Sequence, residues 1–218
     1  MDRVYNFSPG PSQLALPVLE KAQKDLLCYG STGMSVMEMS HRSKMYTDIY
    51  DQAVADLKEL MAIPEDYEVV FLQGGATQQF SAIPLNLMVN KKADYIDSGN
   101  FAHLAAEEGK RYGEVNVAGS SRADNYTYVP EVGSLQLSED ADYLHITQNN
   151  TIYGTRYVEL PESRAPLVCD ASSMILSETM DVRKYGVIYA GAQKNIGPSG
   201  LCVLIVRKDL LGKTMDIC

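Results

Sequence analysis

A lysine and an aspartate, each placed after an apolar stretch, are the residues of this chain best suited to chemistry. Lys194 closely follows the apolar residues 187–190 and lies among glycines and a proline. A lysine desolvated in such a loop loses its proton more readily and can form a Schiff base with a carbonyl compound. Asp170 ends the apolar residues 167–169, where a carboxylate needs a partner, and a cationic ring nitrogen would be one. A solvated loop lysine and a helix-capping aspartate remain open alternatives when each position is taken alone.

Three polar clusters at other strand ends could complete a binding site. Gly74 and Gly75 allow a tight turn, and the helix predicted after them offers free N–H groups for a phosphate, although an ordinary strand-to-helix turn has the same pattern. The turn is neither GxGxxG nor a P-loop, which disfavours a dinucleotide or nucleoside triphosphate. Phe101 could stack on a flat ring, and the amides and hydroxyls of residues 147–155 could bind a ligand oxygen or form a turn. In this order, a glycine turn, an aromatic residue, an aspartate and a lysine are the parts of a pyridoxal phosphate site.

Elements that would position these residues follow from the apolar patterning. Short apolar runs alternate with helical patterns, which predicts an α/β domain with a mainly parallel sheet. Ligands of such sheets collect at the carboxyl ends of the strands, where the polar clusters lie. The predicted strands are residues 68–72, 93–97, 114–117, 143–147, 167–170, 187–190 and 201–206, and the predicted helices are residues 16–28, 42–61, 77–88 and 101–112. The polar residues 118–130 predict a surface excursion.

Composition narrows the class of protein. The 218 residues suffice for one sizeable domain, and 45% hydrophobic with 22% charged residues is typical of a soluble globular protein. A net charge of -9 disfavours nucleic acid, and no apolar run approaches the roughly 20 residues that cross a membrane. We find no secretion signal and therefore expect a cytoplasmic protein. The four cysteines are not at CxxC spacing, so we expect free thiols, and the three scattered histidines predict no metal site.

Three sequence blocks carry a resemblance to a known family. Residues 6–11 (NFSPGP), 35–42 (SVMEMSHR) and 185–198 (YGVIYAGAQKNIGP) closely resemble the class V aminotransferases of fold type I, and among them the phosphoserine aminotransferase family. The match runs along essentially the whole chain, and the block that ends at Pro198 is the most specific. The resemblance implies a large pyridoxal-phosphate-binding domain with a mainly parallel sheet of the seven-stranded type between helices.

The resemblance also implies a role for each site residue. Lys194 would form a Schiff base with pyridoxal phosphate and shuttle protons, and Asp170 would pair with the pyridine nitrogen. Phe101 would stack on the ring, at a position where many relatives have Trp, and Thr151 would bind the phenolic oxygen. The remaining residues are those implied to hold the cofactor phosphate, namely Ala76, Thr77 and Gln193, and those implied to contact the anionic substrate, namely His41 and Arg42.

The family moves an amino group between glutamate and 3-phosphohydroxypyruvate on the route to serine, and some members also serve pyridoxine synthesis. A homodimer with its active site at the interface is implied as well. Two departures bear on this expectation. Thr77 stands where some relatives carry an arginine, and the chain stops at Cys218, where the family continues into a small C-terminal domain. We therefore expect an N-terminal arm (1–15), a cofactor-binding domain (16–218), and weak or absent turnover from this chain alone.

Other functions stay open at this point. Another class V enzyme is the nearest alternative, either an alanine–glyoxylate or serine–pyruvate aminotransferase or a cysteine desulfurase. A non-catalytic binding module on the same scaffold is a second alternative, which retention of Lys194, Asp170 and the glycine turn disfavours. A hydrolase with a Ser-His-Asp set is a third, and the lack of a GxSxG elbow disfavours it.

Overall fold

The computed structural model describes residues 3–215 of the chain. Within that range, no helix is long and apolar enough to cross a membrane. The same residues contain no group of three or more histidine, cysteine, aspartate or glutamate side chains that could hold a metal ion. Cys28, Cys169 and Cys202 are free thiols, whereas Cys218 lies outside the described residues.

A seven-stranded sheet forms the centre of the described part of the chain. Its strands are β1 (Tyr67–Gln73), β2 (Lys92–Asp97), β3 (Glu114–Ser120), β4 (Leu144–Thr147), β5 (Leu167–Asp170), β6 (Val187–Gly191) and β7 (Leu201–Arg207). The order across the sheet is β1-β7-β6-β5-β4-β2-β3, and β7 runs in the direction opposite to the other six strands. The predicted α/β class and mainly parallel sheet are therefore confirmed, and the carboxyl ends of β1 to β6 meet at one edge.

Two apolar cores lie on opposite faces of this sheet. Successive side chains of a strand point to opposite faces, so Val168 and Cys169 of β5 belong to different cores. Strands buried on both faces read as continuous apolar runs, which explains why the sequence shows no polar alternation in β5 and β6. β4 is also buried on both faces but includes two buried polar side chains, His145 and Thr147.

Four α-helices accompany the sheet in the described residues: α1 (Leu16–Leu27), α2 (Lys44–Leu60), α3 (Gln79–Leu87) and α4 (Asn100–Gly109). On the Val168 face, α3 and α4 cover the sheet with Phe80, Ile83 and Ala105 among their buried residues. On the Cys169 face, the end of α2 contributes Leu57, and the chain after β5 contributes many of the other core residues. No residue of α1 is buried against the described residues.

Three predicted helix boundaries differ from the structure by two residues or more. The helix predicted from residue 42 begins at Lys44, because the Ser43 side chain caps it by accepting a hydrogen bond from the Tyr46 N–H at 3.2 Å. The helix predicted from residue 77 opens as a 3-10 turn over Ala76–Gln78 before α3. The helix predicted to reach residue 112 ends at Gly109, where the chain turns towards β3.

The prediction that residues 118–130 form a surface excursion is wrong for those of them that are buried. Ala118 still belongs to β3 and is buried, as are Ser121 and Tyr126. Tyr126 turns inward because its hydroxyl donates to Asp97 Oδ1 at 2.9 Å and its ring packs against Tyr153. Such partners are distant in the sequence, so local polarity could not reveal them.

Candidate active site

The predicted site residues meet in a cavity of about 120 Å³ at the carboxyl edge of the sheet. Residues from the loops after β1, β4, β5 and β6 line it, together with residues of α3 and α4. Seven were predicted from the sequence: Ala76, Thr77, Phe101, Thr151, Asp170, Gln193 and Lys194. The others are Gly75, Phe80, Thr147, Asn149, Ser172 and Ser173.

Lys194 reaches the cavity from the turns that join β6 to β7. The Gln193 carbonyl accepts a hydrogen bond from the Ser12 N–H at 2.9 Å, and the Ser12 hydroxyl donates to the Lys194 carbonyl. The N-terminal segment therefore holds the lysine backbone from outside. The Lys194 amine hydrogen-bonds the Thr151 hydroxyl and lies 5.8 Å from the centre of the Phe101 ring.

Asp170 lies on the other side of the same cavity, at the end of β5. Its side chain is buried, with 5% of the residue surface exposed. Its Oδ1 accepts a hydrogen bond from the Ser172 N–H at 3.0 Å. The chain continues from Asp170 as turns and not as a helix, so the helix-capping alternative does not apply. Thr147 and Tyr189 are its neighbours across the sheet in β4 and β6.

Burial shifts the pKa values of both groups towards their neutral forms. It raises the pKa of Asp170, while hydrogen bonds from Ser172 and the charge of Lys194 act in the opposite direction. It also lowers the pKa of Lys194, against a smaller opposite effect of Asp170. The cavity thus makes the amine a better nucleophile and leaves the carboxylate in need of a further cation.

The glycine turn after β1 forms a second wall of the cavity. Gly74 has a φ of 97°, which favours glycine, and its N–H donates to the Gly200 carbonyl at 2.9 Å. The first hydrogen bond of the following 3-10 turn is donated by Gln78. The N–H groups of Ala76 and Thr77 precede that bond, as the free donors at a helix start do. This arrangement suits an anion such as a phosphate.

Two loops bring the remaining predicted side chains into place. Gly99 precedes α4, and a side chain there would overlap Asn150. Phe101 follows within the first turn of the helix and is half-buried. The Thr151 loop is closed by the Asn150 N–H, which donates to the Thr155 carbonyl at 2.8 Å. A flat ring between Phe101 and the Asp170 strand end would thus have polar groups at its rim.

His41 and Arg42 do not line this cavity. Both are exposed and lie just before α2, where the Arg42 N–H donates to the Ser40 hydroxyl at 3.2 Å. Their predicted contact with a substrate stays a prediction.

Sequence reasoning did not single out all of the lining residues. Thr147 and Asn149 belong to the polar cluster 147–155, which was predicted as a group but without individual roles. Ser172 and Ser173 follow Asp170 after Ala171, and their hydroxyls at a strand end are the signal that could have found them. Phe80 carries no such signal, because an aromatic residue in an apolar helix is typical of a core.

A larger cleft of about 1160 Å³ lies elsewhere, beside Leu167 and Gly186 at the amino ends of β5 and β6. Most of its charged lining is exposed to solvent, namely Glu159, Glu162, Arg164 and Lys184. Arg207 is partly buried and paired with Asp209. The smaller cavity collects buried ionisable groups with shifted pKa values, and we therefore assign the site there.

Comparison with known proteins places these features in a family. The family model described as aminotransferase class-V matches residues 4–217. The chain is 55% identical over 220 residues to phosphoserine aminotransferase of Bacillus cereus, covering 100% of this chain and 61% of that protein. It is 54% identical over 215 residues to phosphoserine aminotransferase of Listeria monocytogenes, covering 98% of this chain and 59% of that protein. The chain thus spans about three fifths of the length of these relatives.

Solved structures show the same fold. A phosphoserine aminotransferase studied for radiation damage of its Schiff base superimposes with a TM-score of 0.96 at 48% identity, over 100% of this chain and 61% of that one. The pyridoxal-phosphate-bound phosphoserine aminotransferase from Trichomonas vaginalis gives 0.93 at 39% identity, over 99% and 65%. By its sequence and by its seven-stranded sheet, the chain belongs to the class V aminotransferase family.

Proposed function

We propose that this chain binds pyridoxal phosphate and forms the cofactor-binding part of an aminotransferase. Its substrates in this proposal are L-glutamate with 2-oxoglutarate and O-phospho-L-serine with 3-phosphohydroxypyruvate. The observation that carries the proposal is the convergence of Lys194 and Asp170 on one cavity from different strand ends. The names of the similar proteins support the choice of substrates.

The residues present fit the cofactor. Asp170 is a buried carboxylate whose raised pKa calls for a cation, and a protonated pyridine nitrogen is one. The free N–H groups of Ala76 and Thr77, with the Gln193 side chain, suit the phosphate. Phe101 supplies an apolar ring face, and the Thr151 hydroxyl suits the phenolic oxygen.

Pyridoxal phosphate supplies an aldehyde and an electron-withdrawing ring when bound. The Lys194 amine would be the group that holds this aldehyde covalently, with loss of water. Because burial lowers the pKa of Lys194, the amine is more often unprotonated and can give or take a proton at Nζ. The Thr151 hydroxyl, bonded to this amine, orients it towards the cavity.

Substrate recognition belongs to the same proposal. His41 and Arg42 lie exposed ahead of α2 and would meet an anionic substrate from the open side. Thr77 is shorter than the arginine of some relatives, so a phosphate there would rely on backbone donors. We further propose an arm (1–15) and a cofactor-binding domain (16–218), a cytoplasmic homodimer with its active site at the interface, and a role in serine and possible pyridoxine synthesis for the whole protein.

Cofactor attachment is tested with the Lys194→Ala variant. Wild-type chain mixed with pyridoxal phosphate should show a visible absorbance band, and borohydride should abolish the band and leave a covalent adduct on Lys194. Lys194→Ala should form no adduct at this site, because the amine is absent. Lys184→Ala, which removes an exposed lysine, should behave as wild type. A wild-type chain without adduct, or with its adduct on another lysine, contradicts the proposal.

Substrate choice is tested on the loaded wild-type chain. O-phospho-L-serine should change the visible band at lower concentration than L-alanine or L-cysteine does, because only the phosphate ester can use the anion-binding groups. A stronger response to L-alanine would favour another class V aminotransferase, and sulfur release from L-cysteine would favour a desulfurase. Cofactor binding without any response to amino acids is the result expected if the chain alone has no turnover, and the same titration on a longer protein that includes the C-terminal domain would then separate the aminotransferase from a non-catalytic module.

A further inference from the structure

A buried polar pair includes the neighbour of Asp170 in β6. Asp170 of β5 is in register with Tyr189 of β6, so both side chains point to the same face of the sheet. The Tyr189 hydroxyl lies 2.9 Å from Nε2 of His145, which belongs to β4. Tyr189 has 0% and His145 2% of its surface exposed. Neither partner is therefore open to bulk water.

An aromatic stack holds the His145 ring in place. The ring lies parallel to Tyr95, with centroids 5.0 Å apart and an interplanar angle of 25°. The Tyr95 hydroxyl is in turn hydrogen-bonded to the Tyr143 hydroxyl. A side chain at Gly109 of α4 would come within 2.7 Å of the Tyr95 oxygen. The orientation of the imidazole is thus set by packing and not by Asp170.

The surroundings select one tautomer of His145. Burial lowers the pKa of His145 to about 3, so the ring is neutral and carries a single N–H. Its Nδ1 has no hydrogen-bond partner among the described residues. A buried donor without an acceptor is rarer and costlier than a buried acceptor without a donor. The proton therefore belongs on Nε2, where it is donated to the Tyr189 oxygen.

This tautomer decides where the Tyr189 proton points. If Nε2 accepted the Tyr189 proton, the phenol would present an oxygen lone pair to Asp170. Because Nε2–H donates instead, the Tyr189 O–H is free to face the carboxylate. The Tyr189 side chain is among the groups whose hydrogen bonding lowers the pKa of Asp170.

We propose that Tyr189 and His145 are positioning residues that form a directed chain, His145 Nε2–H to Tyr189 O–H to Asp170. The chain keeps the Asp170 carboxylate ionised and aimed at the cavity. The inference deepens the proposed function and rests on it, because an ionised Asp170 matters most when a ring nitrogen must be held protonated. Its test needs two readouts, one on the unliganded protein and one on cofactor binding.

Other groups near Asp170 also affect whether its carboxyl group is ionised. The charge of Lys194, which lies in the β6–β7 connection, favours the ionised form of Asp170. Ser172, in the turn after β5, donates a hydrogen bond to the carboxylate. The thiols of Cys169 in β5 and Cys202 in β7 are buried nearby, and burial raises the pKa of both, so they remain neutral. Tyr189 is thus the neighbour from β6 that can donate a proton towards the carboxylate without carrying charge.

The experiment uses Tyr189→Phe, which removes the hydroxyl and keeps the ring. Nitrogen NMR of histidine-labelled, unliganded wild-type chain should show His145 neutral with its proton on Nε2, and the Nε2–H signal should shift in the variant. The dissociation constant for pyridoxal phosphate should rise about tenfold, as for the loss of one hydrogen bond to a charged group. The pH at which the bound cofactor absorbance titrates should shift in the variant as well.

Tyr157→Phe is the matched control, because it removes another buried hydroxyl, which donates to the Pro130 carbonyl at 3.0 Å, away from Asp170. It should bind the cofactor within about twofold of wild type. If Tyr189→Phe does not fold, His145→Gln tests the same chain. A proton on Nδ1 of wild-type His145, or equal cofactor affinity and titration in wild type and variant, overturns the inference. A wild-type chain that does not bind the cofactor overturns the proposed function instead, and the NMR result then decides the inference alone.

Discussion

At the scale of single residues, Asp170 combines a charge with a position that disfavours one. Burial raises its pKa above the ordinary value. The folded state therefore holds a proton more tightly than the unfolded chain does, and the cost of ionising Asp170 appears as the pH rises above its unfolded pKa. Such a cost is typical of a residue kept for binding and not for stability.

We predict that Asp170→Asn stabilises the unliganded chain while abolishing tight binding of pyridoxal phosphate. The amide can still accept the Ser172 hydrogen bond, and the ionisation cost is removed. At pH 7 the gain should be about 1 kcal/mol, or about 2–4 °C in melting temperature. It should vanish near pH 3, where the carboxyl is protonated in both states. Thermal unfolding at both pH values measures this.

Asp94→Asn is the control for that prediction. Asp94 is equally buried but accepts hydrogen bonds from Asn116 and from the Ser138 N–H and hydroxyl. Its replacement should destabilise the chain by about 1–3 kcal/mol, because an amide N–H₂ would face donors. Stabilisation by both variants, or by neither, would contradict our view of Asp170.

At the scale of elements, the site is a set of connections between strands and not a property of any one of them. The segments that follow β1, β2, β4, β5 and β6 contribute the residues that line the cavity, and neighbouring segments brace one another. Asn150, beside Thr151, lies against Gly99 at the start of α4 and hydrogen-bonds Ser98. The position of Thr151 thus depends on a residue some fifty positions earlier in the chain.

We predict that Gly99→Ala weakens cofactor binding several-fold and destabilises the chain by about 1–3 kcal/mol, as overpacking does. The added methyl group would overlap the Asn150 side chain and displace the Thr151 loop. Cofactor titration and urea unfolding measure the two effects. Gly133→Ala is the control, since nothing lies within 4 Å of a side chain there. Equal behaviour of the two variants would show that the contact has no influence on the site.

At the scale of the whole molecule, the buried His145 links folding to pH. Its pKa is lowered to about 3 by burial, against an ordinary value of 6.5. Because the folded-state pKa is depressed, the stabilisation from neutral His145 is present above pH 6.5 and is lost as the pH falls towards 3. Its packed neighbours Tyr95, Tyr143 and Tyr189 are neutral throughout that range, since burial raises the pKa of each. Asp170 has the opposite effect on stability. Because burial raises its pKa, the free energy of unfolding falls as the pH rises above the ordinary pKa of the carboxyl group.

We predict that the free energy of unfolding falls by several kcal/mol between pH 6.5 and pH 3.5, and that His145→Gln shows a clearly smaller fall. The variant has no group that must lose a proton to be buried. Urea unfolding at closely spaced pH values measures the slope for each protein, and the slope is informative even if the variant is less stable overall. Identical slopes would mean that His145 does not link folding to pH.

Local patterning predicted the strands of this sheet well. Mainly apolar runs marked all seven strands to within a few residues, and the runs are most continuous in β5 and β6, because strands buried on both faces must be apolar. Helix ends were less accurate, since a cap such as Ser43 or a first turn such as Ala76–Gln78 depends on hydrogen-bond geometry. The inward turn of Tyr126 towards Asp97 could not be predicted, because it depends on a partner far away in the chain.

The sequence by itself determined the fold class, the strand ends that carry polar residues, and the pair Lys194 and Asp170, because these follow from residue types at local spacing and from family-specific motifs. The tertiary structure decided which of these residues share a cavity, that Phe80 and Thr147 join them, and that His41 and Arg42 stay outside it. It also decided that Tyr189 lies beside Asp170 in the sheet and is hydrogen-bonded to His145. The physical reason is that strand order and register bring distant segments together, and burial, which shifts the pKa values, exists only once they are packed.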